Sequence, residues 1–214
     1  IIKHLYPNIC AGDYGSNQQK MDCTKQMFMD EDNYNLPVIN SEYHYDWGDK
    51  SLLVTSQAGT WLALALIYQI KNNYEMELFY GGTAHEPNEG YAMWGSTNNK
   101  FPVYYIKKQF TKSHQKGMII YKDIISNADF DVLATDKKYI TIVNKKDKLN
   151  TLNLELININ SNALINIETS VQHSISGNMV SLSFAPFETK FLQIVSSSIY
   201  NYQSFVNAKN SYLN

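Results

Sequence analysis

The sequence runs to 214 residues, 44% of them hydrophobic and 18% charged, with a formal net charge of -2. That composition is globular, and the length suits one large domain or two smaller ones. It excludes the global basic field of a nucleic-acid binder, and because every cationic residue is Lys it excludes the bidentate Arg clamps usual at phosphate or carboxylate sites.

Residues 1–7, Ile-Ile-Lys-His-Leu-Tyr-Pro, read as a short strand ended by Pro7, with His4 and Tyr6 on one face. Residues 8–16 contain Gly12, Asp13, Gly15 and Ser16 and read as a loop. Met21, Lys25, Phe28 and Met29 then fall at helical spacings from Asn17 to about Asp30. The acidic run Asp30-Glu31-Asp32 closes that helix as a solvated end.

Leu36-Pro-Val-Ile-Asn-Ser-Glu42 reads as a buried strand with polar residues at its end. Strict alternation would turn Val38, Asn40 and Glu42 to one face. Tyr43, His44, Tyr45 and Trp47 follow at once. A carboxylate at a strand end, ringed by aromatic and hydrogen-bonding groups, suits carbohydrate cleavage. The plainer reading is a strand running into a Tyr-rich surface loop. In support of the first, Tyr combines a flat apolar face with a hydroxyl, and the chain holds 16 of them. Most of these are expected simply to fill strand positions.

Thr55 or Ser56 is placed to cap a helix running to about Lys71, whose middle, Trp61 to Tyr68, is apolar nearly all round. That run is far too short to span a bilayer. Met76 to Tyr80 reads as a strand, Gly81 to Gly90 as a loop, and a helix is expected from Pro102, which suits a first-turn position. Residues 1–115 thus alternate strand and helix, which argues for a parallel sheet with right-handed crossovers. Three such units neither close a barrel nor cover both faces of a sheet.

After Gly117 the texture changes to strand-like runs. They are Met118–Tyr121, Phe130–Ala134, Tyr139–Val143, Leu152–Leu156, Ala163–Ile167, Val180–Phe184 and Phe191–Val195, separated by turn signals such as Asp136-Lys137 and Ser176-Gly-Asn178. This spacing predicts an antiparallel β-sandwich over 116–214. The polar tail after Ser196 keeps Ile199, Tyr200, Phe205 and Tyr212 and is expected to dock. Cys10 and Cys23 suit either a disulfide or two free thiols. No Cys/His spacing suggests a metal, and no cofactor motif is present. The chain begins without Met or a signal peptide and reads as a fragment or a processed piece.

In order and separation these elements resemble the C-terminal part of a retaining (β/α)8-barrel glycoside hydrolase with an appended β-sandwich. The resemblance is to the β-xylosidase and α-L-iduronidase type, with the β-glucocerebrosidase and arabinofuranosidase types as near relatives. Ile2-Lys-His4-Leu-Tyr6 resembles barrel strand six, and Pro37-Val-Ile-Asn-Ser-Glu42 resembles strand seven, whose terminal Glu is the nucleophile. Gly90-Tyr-Ala-Met-Trp-Gly95 through Phe101-Pro-Val-Tyr-Tyr105 resembles the segment after strand eight. Asp131-Val-Leu-Ala134, Ile140-Thr-Ile-Val-Asn144 and Ser183-Phe-Ala-Pro-Phe187 resemble strands of the appended domain.

The resemblance implies an α/β plus all-β fold: the last three βα units of an incomplete TIM barrel over 1–115, then the sandwich. It implies Glu42 as nucleophile, with His4, Tyr6, His44, Tyr45, Trp47, Trp94, His85 and Glu86 around a carbohydrate substrate. The family's acid/base Glu ends strand four and would precede Ile1. Asp46 and Asp49 lie near Glu42 in sequence but resemble no family acid. The N-terminal half of the barrel is therefore an expected partner, from the same precursor or a separate chain. A secreted or lysosome-like location follows from the resemblance alone, against which stands the lack of any Asn-x-Ser/Thr sequon. Two readings compete with an enzyme piece: a non-catalytic carbohydrate-binding or structural remnant, and an unrelated three-layer α/β domain plus sandwich.

Overall fold

The computed structural model describes residues 2–12, 15–29, 38–45, 50–79, 93–95, 99–115, 117–157, 161 and 163–195. The chain divides into two compact units, Ile1–Lys108 and Gln109–Asn214. The boundary expected from the sequence lies at 115/116, seven residues on from this division.

The first unit holds strands β1 (Ile2–Leu5), β2 (Ile39–Tyr43) and β3 (Met76–Phe79), with helices α1 (Asn8–Ala11), α2 (Asn17–Met29), α3 (Lys50–Leu53) and α4 (Ser56–Lys71) between them. Helix α5 (Pro102–Ser113) follows, and the division at Lys108 falls inside it. The three strands form one parallel sheet in the order β1-β2-β3. Parallel neighbours in chain order are what successive βα crossovers produce.

Helix α4 is the buried mainstay of this unit. Thr55 caps it, its hydroxyl accepting from the Ala58 amide at 3.4 Å. Every residue from Ala58 to Gln69 is buried, as an all-round apolar sequence requires. Asn72 closes it by donating its amide to the Tyr68 carbonyl, and Asn73 turns the chain away at φ 56°. At Gly59 the helix passes so near α5 that an added Cβ would stand 3.1 Å from the Pro102 Cβ. Trp61 packs its indole against the rings of Tyr43 at 6.2 Å and Tyr45 at 6.0 Å.

Residues 8–16, expected as loop throughout, contain the single turn α1, whose Cys10 and Ala11 amides donate to the Pro7 carbonyl at 3.1 and 2.8 Å. One turn is too short to show a period. The cysteines are paired: a Cys10–Cys23 disulfide joins α1 to α2 with Cα atoms 6.0 Å apart. Closing a loop of this size removes about 3 kcal/mol of unfolded-state entropy.

The second unit is entirely antiparallel in its pairing. Its strands are β4 (Ile120–Ser126), β5 (Phe130–Thr135), β6 (Tyr139–Asn144), β7 (Asn150–Glu155), β8 (Ala163–Asn166), β9 (Gln172–Ser174), β10 (Met179–Phe184) and β11 (Thr189–Val195). Six form one sheet, β4-β5-β6-β11-β8-β9, and β10-β7 form another. Both sheets feed one apolar cluster: Val132, Ile142, Leu164 and Leu192 from the larger, Leu152, Leu154, Leu182 and Phe184 from the smaller. Strand β10 shows the half-buried alternation that its sequence promised, Val180, Leu182 and Phe184 inward and Ser181 and Ser183 outward. Strand β9, Gln-His-Ser, carries no apolar alternation and was not foreseen; it owes its pairing to the β8 edge.

The acidic run 30–32, Leu36, Pro37, Asp46, Asp49, Tyr80, residues 81–92 and the tail after Val195 lie outside the described residues. Among the described residues, no helix is long and apolar enough to cross a membrane.

Candidate active site

The site begins with an irregularity in β2. Opposite β1, Lys3 pairs with Asn40 but His4 pairs with Glu42; opposite β3, Asn40 pairs with Glu77 and Tyr43 with Phe79. An extra residue therefore sits in β2 against both neighbours, a β-bulge at Ser41–Glu42. This overturns the expectation that Asn40 and Glu42 share a face. Asn40 is fully buried and lies 3.1 Å from Gln69 of α4, on the helix side of the sheet. Tyr43 lies on that side too, against Trp61. Glu42 instead joins His4 and Tyr6. Alternation fails because one residue too many resets the pleat.

Polar groups of β2 hold the bulge together. The Ser41 hydroxyl donates to the Lys3 carbonyl at 3.2 Å. With its amide turned to satisfy its neighbours, Asn40 donates to the Lys3 carbonyl at 3.3 Å and the Glu42 carbonyl at 3.0 Å, and its oxygen then accepts from Gln69 once that amide is turned as well. A bulge leaves strand carbonyls without ladder partners, and a buried carboxamide supplies the donor. Asn40 is thus part of the site's scaffold, a part that simple alternation hides.

Around Glu42 the arrangement is compact. The Tyr6 hydroxyl donates to its Oε1. The His4 Nδ1 stands 3.6 Å from its Oε2. The Glu42 side chain keeps 28% of its exposure and His4 59%, so the carboxylate is held yet open to solvent. Two residues expected beside it, Tyr6 and His4, are therefore brought to it.

Others are not. Tyr45 is fully buried: it donates its hydroxyl to Asn17, stacks near Trp61, and carries the Lys20 ammonium 5.2 Å over its ring. His44 is fully buried as well, its ring 4.8 Å from that of Phe79 and its Nδ1 accepting from the Tyr45 amide at 2.9 Å. These two pack in the interior of the unit, not beside the Glu42 carboxylate. Trp94 is half-buried and meets Tyr104 of α5 edge-to-face at 6.0 Å. Trp47, His85 and Glu86 lie outside the described residues.

A second carboxylate of the sheet, Glu77, points the other way. It accepts from the Tyr43 hydroxyl and pairs with Lys107 of α5. Burial pushes the Tyr43 phenol far up, so it remains a donor to Glu77. Leu78, its neighbour in the strand, is 52% exposed on the opposite face, and Ile2 of β1 is 72% exposed. By alternation, Ile2, His4 and Leu78 lie on the sheet face away from α4 and α5.

The fold is similar to parts of solved structures. A family 39 glycoside hydrolase from Bacteroides cellulosilyticus WH2 matches with TM-score 0.62 at 12% identity, over 91% of this chain and 44% of that one. A 4-O-alpha-L-rhamnosyl-beta-D-glucuronidase from Fusarium oxysporum 12S matches with TM-score 0.61 at 12% identity, over 90% and 52%. A GH30 endoxylanase from Clostridium papyrosolvens C71 matches with TM-score 0.57 at 13% identity, over 85% and 47%. The chain has a glycoside hydrolase-type fold. It spans about half the length of these structures. No protein-family model and no curated protein sequence matches it.

Proposed function

We propose that this chain is the C-terminal part of a retaining glycosidase, with Glu42 as the nucleophile. In this reading β1, β2 and β3 are the sixth to eighth strands of a (β/α)8 barrel, and the antiparallel unit is its appended β-sandwich. The observation that carries the reading is the Tyr6–Glu42 hydrogen bond at the carboxyl end of a parallel strand. Barrel enzymes carry their chemistry at those strand ends.

The chemistry follows from the group itself. Glu42 attacks the anomeric carbon of a bound sugar, the glycosidic bond breaks, and the leaving oxygen takes a proton from a second carboxylic acid. Water, deprotonated by that same carboxylate, then cleaves the glycosyl ester. Tyr6 donates to Oε1, and Oε2, with the His4 Nδ1 3.6 Å away, is the oxygen that attacks. The two carboxyl groups must stand about 5–5.5 Å apart. Glu77 cannot serve, since it faces the helices and is held by Tyr43 and Lys107. The acid/base Glu is assigned to the strands that complete the barrel.

The exposed face of the sheet supports such a completion. Parallel sheets are ordinarily covered on both faces, and exposed Ile2 and Leu78 are apolar groups that a barrel interior would bury. The Cys10–Cys23 disulfide fits an oxidising compartment. The test is Glu42→Gln in a protein containing the whole barrel. Turnover of an aryl glycoside should fall by about 10⁴-fold or more with no change in melting. Substantial remaining activity would remove Glu42 from the mechanism and favour a non-catalytic role.

A further inference from the structure

Helix α2 touches both strand ends that meet at Glu42, by two different devices. The first is covalent. Tyr6 is followed by Pro7, whose carbonyl receives the amides of Cys10 and Ala11; Cys10 is bonded to Cys23, in the middle of α2. Both sulfurs also lie close to the Pro7 carbonyl, at 3.4 and 3.6 Å. Only three residues separate Tyr6 from the bridge.

The second device is polar and aromatic. Tyr45, three residues past Glu42, donates its hydroxyl to Asn17, the first residue of α2. Lys20, one turn on, is buried with its ammonium over the Tyr45 ring. The same helix is anchored behind the sheet: Met21, Thr24 and Phe28 are buried, and the Phe28 carbonyl accepts from the Asn72 side chain at the end of α4 at 3.0 Å. α2 is therefore fixed to the scaffold, to the β1 end and to the β2 end together.

We propose that the Cys10–Cys23 disulfide and α2 form a brace that positions Tyr6 against Glu42. A hydrogen bond between two strand ends survives only if both ends are held in register. A short parallel ladder interrupted by a bulge supplies little of that constraint, because ladder bonds are lost at the extra residue. The brace supplies it from outside the sheet. The disulfide thus acts on a carboxylate that it does not touch. Cys10, Cys23, Asn17 and Lys20 are positioning residues, and Tyr45, read from sequence as sugar-lining, is one of them. The catalytic consequence rests on the reading of Glu42 as the nucleophile; the mechanical link does not.

Fluorine NMR of the fluorotyrosine-labelled chain tests it. The Tyr6 resonance is assigned by its loss in Tyr6→Phe, and Glu42→Gln defines where it moves when the carboxylate is neutralised. In the Cys10→Ala/Cys23→Ala variant the Tyr6 resonance should move away from its wild-type position and broaden, as the bond to Glu42 loosens. In the whole enzyme kcat should fall roughly 10- to 100-fold with KM little changed, the penalty of a misplaced group. A Tyr6 resonance unchanged in the folded double variant overturns the proposal.

Should that variant fail to fold, Tyr45→Phe cuts the other arm while keeping the ring. The Tyr6 resonance must again move, and an unchanged one again overturns the proposal. The two readings fail separately. If Glu42→Gln retains turnover while the Tyr6 signal still answers to the disulfide, the brace stands and the nucleophile falls.

Discussion

In the antiparallel unit, buried charge is cancelled: Asp131 is fully buried and its carboxylate meets the Lys145 ammonium at 2.8 Å. In the parallel unit, Glu42 has an uncharged phenol for a donor, a histidine at 3.6 Å and an open path to solvent. Both carboxylates are held, but the first is spent on structure and the second is left available. The difference is what the proposed role of Glu42 draws on. A fully buried carboxylate paired with an ammonium is closed to a substrate, whereas Glu42 stays reachable from solvent. Substitutions in the antiparallel unit should therefore act on stability, and substitutions around Glu42 on turnover.

The largest effect expected in the antiparallel unit comes from Asp131→Ala. It strands Lys145 with a buried charge and should cost about 3–5 kcal/mol, read as a lower denaturation midpoint. Replacing the pair together, Asp131→Leu with Lys145→Met, should restore most of that loss. A single variant as stable as wild type would break the comparison.

Next comes a pH window. His114 stacks on Phe110 at 4.6 Å, and burial lowers its pKa from 6.5 to about 4. Unfolded chains take up the proton near pH 6.5, and the folded state resists it. This contribution to stability is therefore intact above pH 6.5 and lost as the pH falls toward 4, by at most about 3 kcal/mol. Melting curves across that window should show the loss, and His114→Phe should flatten it.

Tyr6→Phe should lower kcat by about 10- to 100-fold, the worth of a hydrogen bond to a charged group, without moving the melting temperature. An equal loss in melting and in turnover would make Tyr6 a structural residue like Asp131. The smallest effect is at Lys138, which turns the β5–β6 hairpin at φ 71°. Lys138→Gly should stabilise by up to about 1 kcal/mol, because only glycine takes that backbone freely.

Where the backbone is regular, the residues announced it. The alternation of Val180, Leu182 and Phe184 became the burial pattern of β10, and Thr55 and Pro102 mark where α4 and α5 begin. That the three strands run parallel was legible from strand–helix alternation, and their order from the resemblance to barrel strands six to eight. Glu42, His4 and Tyr6 could be grouped because each ends a strand.

What could not be read was the bulge. Period-2 reasoning placed Asn40 beside Glu42, and nothing in Asn-Ser-Glu signals an extra residue between two ladders. His44 and Tyr45, which read as site aromatics, lie past the end of β2 and are packed into the core, where strand alternation says nothing of where they go. Tyr is ambiguous by nature: its ring suits a core and its hydroxyl a sugar, and only the partner, here Asn17, decides. The pairing of Cys10 with Cys23 was equally open, since two cysteines in a short loop fit a bridge or free thiols.

The central claim is that Glu42 forms a covalent bond to sugar. It is tested most directly by incubating the whole enzyme with an activated 2-deoxy-2-fluoro glycoside, which slows release of the glycosyl ester, and mapping the adduct by peptide mass spectrometry. The account predicts one added glycosyl mass on the peptide containing Glu42, absent in Glu42→Gln. An adduct on a different carboxylate, or time-dependent inactivation that persists in Glu42→Gln, would contradict it.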